Sequence, residues 1–122
     1  MSVARFENIF DSCISSLNIL QEVTDKSNFK LVKSSMTRAT ETANIILTHL
    51  PEDISHSSCD MIREGAPCPP DPAHSEWTPD PSEFHQEGSV IEAAFRKYVH
   101  RAEPSQEKTS VDVLVCHGNV IR

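Results

Sequence analysis

Three side chains of this 122-residue sequence are of the types that phosphoryl transfer requires: Arg38, Glu64 and His117. A guanidinium holds the oxygens of the transferred group, and an acid protonates the leaving alcohol. Arg38 lies in the first turn of a predicted helix, where the helix dipole disfavours a cation, so we expect an anion between the two. His117 follows an apolar run, and Glu64 precedes a proline-rich stretch. Together the three residues indicate a phosphate site.

Each of the three residues also has a simpler interpretation. Taken alone, Arg38 is typical of a solvated helix charge and Glu64 of a surface carboxylate. His117 alone fits a hydrogen-bonded core histidine as well as a ligand. The functional interpretation therefore depends on the three residues as a set, in their local sequence.

The run from Val111 to Val115 positions His117. It alternates and is rich in β-branched residues, which predicts a buried strand. Ligands bind outside the carboxyl ends of strands in open α/β sheets, and helix N-termini attract anions. We expect Gly118 to allow the tight turn that starts a helix. The sequence stops at Arg122, soon after this helix should begin.

The other predicted elements give an α/β order. An apolar pattern predicts a helix over residues 3–22, a strand over 29–34, a helix from about 35 to 50 and a short strand within 57–62. Residues 67–81 contain six of the eight prolines and predict a long loop, with Trp77 inside it. Ser89 is the expected cap of a third helix, whose buried stripe is Val90, Ile91, Ala94, Phe95 and Tyr98. The fold class is an α/β sandwich with a mostly parallel sheet.

Composition excludes several classes of partner. Eighteen acidic against eleven basic residues give a formal charge of −7, which argues against nucleic acid and against an acidic membrane surface. We find no apolar run of about eighteen residues and no recognisable targeting segment. The four cysteines form no C-x-x-C pair, so we expect free thiols in a reducing compartment.

Four stretches, in order, carry a resemblance to a known family: SSMTRATETA at 34–43, REGAP at 63–67, IEAAFRKYVHRA at 91–102 and VCHGNVIR at 115–122. From residue 29 onward the sequence resembles the histidine phosphatase (phosphoglycerate mutase) superfamily, and within it the mitochondrial serine/threonine-protein phosphatases. The resemblance implies an incomplete three-layer α/β sandwich. Residues 29–122 would form a partial phosphatase domain, and 1–28 a divergent helix and turn.

The resemblance also implies roles for the matched residues. Arg38 corresponds to the second pocket arginine, which holds the phosphate, and His117 to the second histidine, which contacts it. Glu64 corresponds to the proton donor for the leaving alcohol. The implied substrate is a phosphoprotein. The resemblance implies no cofactor and no metal, and it allows an oligomer. The implied location is the outer mitochondrial membrane, through an anchor that this sequence lacks.

The sequence departs from the family at the nucleophile. That group is a histidine in an Arg-His-Gly motif upstream of Arg38, yet residues 1–33 contain no histidine, and Arg5 is the one arginine there. We therefore expect little or no turnover from this chain. Because the family's opening strand and last third are also missing, we expect an incomplete gene model or a splice product rather than a deliberately shortened relative.

Three alternatives remain open from the sequence. The first is a phosphate-binding pseudophosphatase that serves as an interaction module, and the second is a phosphatase of small metabolites. The third is a zinc domain, since four residues are zinc-type ligands: His56, Cys59, Cys68 and His74.

Overall fold

A three-stranded parallel sheet forms the centre of the protein in its computed structural model, which describes residues 28–69, 76 and 80–121. The strands are β1 (Phe29–Ser34), β2 (Ser55–Cys59) and β3 (Val111–Val115). The helices are α1 (Thr37–Thr48), α2 (Pro81–Tyr98) and the single turn α3 (Gly118–Ile121), with a 3₁₀ helix at Asp60–Ile62. This arrangement confirms the predicted α/β class.

The sheet has the order β2-β1-β3, with β1 parallel to both neighbours. Ser34 pairs with Cys59, and Lys33 pairs with Val115, so all three strands end at the same edge. The segments that follow the strands therefore leave the sheet side by side.

Apolar side chains alternate along β1 and build a core on each face of the sheet. Phe29 and Leu31 pack on one face with Ala39 and Ala43 of α1. Val32 packs on the other face with Ile62, Ala94 of α2 and partly buried residues of β3 and α3. Helices therefore cover both faces, which is the three-layer order expected from the sequence in a small and partial form.

The start of α2 differs from the prediction. The helix begins at Pro81, where Asp80 and Glu83 form a capping box. A proline is tolerated at the first helical position because its missing N–H would have no partner there. Ser89, the expected cap, lies inside the helix and donates to the His85 carbonyl at 2.7 Å. The helix begins at Pro81, the last proline of the proline-rich stretch, where the sequence analysis expected a loop.

The buried stripe predicted on α2 is partly wrong. Ala94 is buried and Tyr98 packs against the same cluster, but Phe95 is 59% and Val90 42% exposed. Ala94 packs with Val32 and Ile62, and the next residue, Phe95, lies about 100° further round the helix and faces outward. Fewer apolar residues of α2 therefore contact the core than the sequence pattern predicted.

The remaining elements agree with the predictions within a few residues. Strands β1 and β3 have the predicted bounds, α1 is two residues shorter at each end, and β2 begins earlier than expected and continues into the 3₁₀ helix. The predicted helix at 3–22, Trp77 and most of the proline-rich loop lie outside the described residues. The division into residues 1–28 and 29–122 stays a prediction. Within the described residues, no helix combines the length and apolar character needed to cross a membrane.

Candidate functional site

Arg38, Glu64 and His117 meet at the carboxyl edge of the sheet. Arg38 is the second residue of α1, just beyond β1, and His117 lies between β3 and α3. Glu64 follows the 3₁₀ helix that extends β2. The parallel register brings these three connections together, although the residues lie up to 79 positions apart.

The contact between Arg38 and His117 defines the protonation of the imidazole. Arg38 Nε–H donates to His117 Nδ1 at 3.1 Å, so Nδ1 acts as an acceptor. The ring proton of a neutral histidine is then on Nε2, which lies 2.9 Å from Ser34 Oγ and donates to it. The His117 side chain is 3% exposed, so both ring nitrogens are bonded inside the protein.

The surroundings of His117 keep it neutral. Burial is the largest cause that lowers the pKa of His117 below its usual 6.5, and the positive charge of Arg38 lowers it further. The carboxylate of Glu64 acts in the opposite direction but does not reverse the shift. At neutral pH the imidazole therefore presents an unprotonated Nδ1 to Arg38 and Glu64.

Glu64 supplies the negative charge of the cluster. Its Oε2 accepts from Arg38 Nη2 at 3.1 Å and lies 3.6 Å from His117 Nδ1. Its Oε1 accepts from the Asn119 backbone N–H at 3.4 Å. The Arg38 side chain is 58% exposed and the Glu64 side chain 34%, so solutes can reach this ion pair from solvent. The guanidinium can bind an anion, and in the protein alone that anion is Glu64.

Three further residues support the cluster and were missed by sequence reasoning. Ser34 is fully buried, and its Oγ also accepts from the Met36 backbone N–H at 3.3 Å. Asn119 donates its side-chain N–H to the Gly65 carbonyl at 2.9 Å. Glu87 accepts a hydrogen bond from the Ala66 backbone N–H. The position of Ser34 at the end of a predicted strand could have indicated its role. Glu87 lies 21 positions from Ala66, and nothing in the local sequence indicated that the two would meet.

The expected role of Gly118 is not supported. A Cβ built on Gly118 would meet no atom within 4 Å, and its φ lies outside the left-handed region. The turn after His117 therefore does not require glycine, and the position instead leaves open space beside the cluster.

The other described histidines lie elsewhere. His49 follows the last residue of α1, eleven residues beyond Arg38, which places it about 16 Å along the helix axis. His56 lies early in β2, towards the opposite edge of the sheet, and His85 and His100 lie within and after α2. Among the described residues, the hydrogen bonds and ion pairs of the cluster include one histidine, His117.

The described part of the chain contains no cluster of ligands that would support the zinc alternative. Within residues 28–69, 76 and 80–121, no three histidine, cysteine or acidic side chains lie close enough to hold a metal ion. His56 and Cys59 are three positions apart on β2, so their side chains point to opposite faces of the sheet. His74 lies outside the described residues.

Comparison with known proteins finds relatives that share one name. No protein-family profile matches the chain. The mitochondrial serine/threonine-protein phosphatase Pgam5 of Caenorhabditis briggsae is 56% identical over 92 residues, which are 75% of this chain and 32% of that protein. The mouse and human PGAM5 proteins are 53% and 52% identical over 93 residues, with 76% of this chain and 32% of each relative covered. Over about three quarters of its length, the chain is therefore homologous to members of the histidine phosphatase family.

This similarity confirms the resemblance that the four sequence stretches predicted. The chain spans about a third of the length of the curated relatives it matches. The roles of Arg38, Glu64 and His117 stay predictions, although the three residues lie in contact.

Proposed function

We propose that this chain binds phosphorylated serine or threonine side chains in a histidine phosphatase pocket and does not hydrolyse them. The observation that carries the proposal is the triangle of Arg38, Glu64 and His117, in which one guanidinium contacts both other side chains at 3.1 Å. Its relatives are named as mitochondrial serine/threonine-protein phosphatases, which favours a phosphoprotein as the ligand and the mitochondrion as the location.

Arg38 is the phosphate ligand in this proposal. Before phosphate binds, its Nε–H bond to His117 fixes the plane of the guanidinium, and its largely exposed side chain is open to an incoming anion. A phosphate accepts two parallel N–H bonds from such a fork. To do so it shares or replaces the bond that Nη2 now makes to Glu64.

His117 responds to the phosphate through its charge. Its Nδ1 accepts a bond in the protein alone, and an acceptor cannot bind a phosphate oxygen. A neighbouring dianion favours the imidazolium, whose Nδ1–H then donates to the phosphate. Binding therefore takes up a proton at His117 Nδ1. This breaks the bond that Nδ1 accepts from Arg38 Nε–H, which is then free to donate to the phosphate, while Nε2–H keeps its bond to Ser34.

Glu64 is the proposed proton donor of the complete reaction. In that reaction a histidine nitrogen attacks phosphorus, the P–O bond to serine or threonine breaks, and the leaving oxygen takes a proton from the acid. Glu64 lies beside both phosphate ligands, in reach of such an oxygen. To act as this acid it must first take up a proton, because the carboxylate paired with Arg38 has none to give.

The proposed lack of turnover follows from the nucleophile. No histidine occurs in residues 1–33, and the contacts of the described cluster bring in no second histidine. Without an attacking nitrogen no phosphohistidine forms, so the P–O bond of the bound group stays intact.

Calorimetric titration with a phosphoserine peptide tests the proposal. We expect saturable binding that the unphosphorylated peptide does not show, and at least a tenfold weaker affinity for Arg38→Ala, about 1.4 kcal/mol. Arg96→Ala is the matched control, because Arg96 pairs with Glu92 on α2 and takes no part in the cluster. Equal affinities for the wild-type chain and Arg38→Ala would refute a phosphate site at Arg38.

A parallel assay of phosphate release tests the inactivity and the ligand class. We expect no steady release from the peptide. Release that His117→Ala abolishes would overturn the proposed inactivity. Tighter binding of a small phosphorylated metabolite than of the peptide would instead favour a metabolite site.

A further inference from the structure

The segment 64–66, which carries Glu64, is held from two sides by residues outside the triangle. We propose that Asn119 and Glu87 are positioning residues that hold Glu64 against Arg38 and thereby lower the affinity of the pocket for phosphate. This inference rests on the proposed phosphate site and names the residues that limit its affinity for phosphate.

Asn119 holds the segment from the side of α3. Its side-chain amide donates to the Gly65 carbonyl at 2.9 Å, and its backbone N–H donates to Glu64 Oε1 at 3.4 Å. One residue therefore bonds both the main chain next to Glu64 and the carboxylate itself. The second oxygen, Oε2, is left to face Arg38 and His117.

Glu87 holds the segment from the side of α2. Its carboxylate accepts from the Ala66 backbone N–H, and the 3₁₀ helix next to the segment packs against the same α2. A Cβ on Gly65 would lie 3.0 Å from Glu87 Oε2 and 3.4 Å from Glu87 Cβ. A side chain at position 65 would crowd Glu87, which would have to shift to make room, so Gly65 suits the close approach of Glu87.

The two anchors have a consequence for binding. Glu64 and a phosphate compete for the same guanidinium, and two anions beside one cation repel each other. A free Glu64 side chain would swing into solvent when phosphate arrives, whereas the anchored segment keeps the carboxylate beside Arg38. Releasing the segment should therefore raise the affinity for phosphate, although a simple loss of structure would lower it.

Titration of the full chain with inorganic phosphate tests whether releasing the segment raises or lowers the affinity. We expect Glu64→Gln to tighten binding roughly three- to fivefold, the size of an exposed ion pair. Asn119→Ala changes no charge and should tighten binding by part of that factor. In a Glu64→Gln background Asn119→Ala should have no further effect, because the competing charge is already gone.

Glu87 offers a matched pair of variants. Glu87→Gln and Glu87→Ala both remove the charge, but a glutamine still accepts from the Ala66 N–H. We expect Glu87→Ala to bind phosphate about twofold more tightly than Glu87→Gln, and the difference to vanish in Glu64→Gln. Should Asn119→Ala prevent folding, the Glu87 pair decides alone.

The outcomes separate this inference from the proposed function. Equal phosphate affinity of the wild-type chain and Glu64→Gln, or weaker binding by Asn119→Ala and Glu87→Ala, overturns the positioning role and leaves the phosphate site intact. If neither the wild-type chain nor Glu64→Gln binds phosphate, both proposals fall.

Discussion

His117 Nε2–H donates to the fully buried Ser34 Oγ over 2.9 Å, and this bond joins two residues 83 positions apart. It connects the end of β1 to the residue that follows β3. Because Arg38 Nε–H donates to Nδ1, the ring proton is on Nε2 and points to Ser34. The bond to the buried serine thus anchors Nε2, so that Nδ1 faces the proposed phosphate site.

Removing the Ser34 hydroxyl should destabilise the protein. Ser34→Ala leaves the His117 Nε2–H and the Met36 N–H without their shared acceptor, which costs about 1–3 kcal/mol of unfolding free energy. Urea denaturation measures this change. Ser35→Ala is the control, because Ser35 is exposed and bonds to Asp60 outside the cluster. Equal losses for Ser34→Ala and Ser35→Ala would contradict the buried hydrogen bond.

The lowered pKa of His117 makes stability depend on pH. Burial, and then Arg38, favour the neutral ring in the folded state, so unfolding takes up a proton when the pH falls below the unfolded pKa of about 6.5. The free energy of unfolding should therefore decrease from about pH 7.5 to about pH 5.5, and less steeply in His117→Asn. The other histidines are present in both chains and cancel in this comparison. Parallel pH profiles for the two chains would be inconsistent with a buried neutral His117.

Tyr98, the single tyrosine, reports on the packing of α2. Burial, followed by a hydrogen bond with Cys59, raises the pKa of Tyr98 to about 12. The neutral phenol is favoured in the folded state, so this contribution to stability is lost as the pH rises from about 10 through about 12. Ultraviolet titration of the phenolate measures it, and Cys59→Ala should lower the pKa only part of the way towards 10. A normal pKa in the folded protein would contradict the packing of Tyr98 against Cys59.

The two apolar residues Phe95 and Leu31 should differ sharply in their contribution to stability. Leu31 is completely buried in β1, whereas Phe95 is 59% exposed on α2. We expect Leu31→Ala to cost about 2–5 kcal/mol and Phe95→Ala less than about 1 kcal/mol. Chemical denaturation of both variants decides the question. A large loss for Phe95→Ala would support the buried stripe predicted from the sequence.

Strands with strong local patterns were predictable from the sequence. β1 and β3 are short runs rich in apolar residues between polar segments, and their bounds agree with the prediction. The outward position of Phe95 was not predictable, because it depends on which face of α2 packs against Val32 and Ile62. The start of α2 was hidden because a proline ends most helical patterns but is favoured at the first helical position.

The candidate site was predictable as a set of residues but not as a network of contacts. Arg38 and His117 were both expected just beyond the carboxyl ends of predicted strands, but the structure alone shows that these strands are neighbours. The hydrogen bonds of Ser34, Asn119 and Glu87 depend on register and on the packing of α2, which no local pattern records. Sequence reasoning therefore found the charged groups and missed the residues that orient them.

A titration of the ¹⁵N-labelled chain with inorganic phosphate, followed by NMR, tests the central claim most directly. Binding in the triangle predicts saturable shifts of the Arg38 Nε–H and of the His117 ring, together with a rise in the pKa of His117. Arg38→Ala should remove the shift of His117, whereas Arg96→Ala should preserve it. Shifts that leave Arg38 and His117 unmoved, or that persist unchanged in Arg38→Ala, would show that this triangle does not bind phosphate.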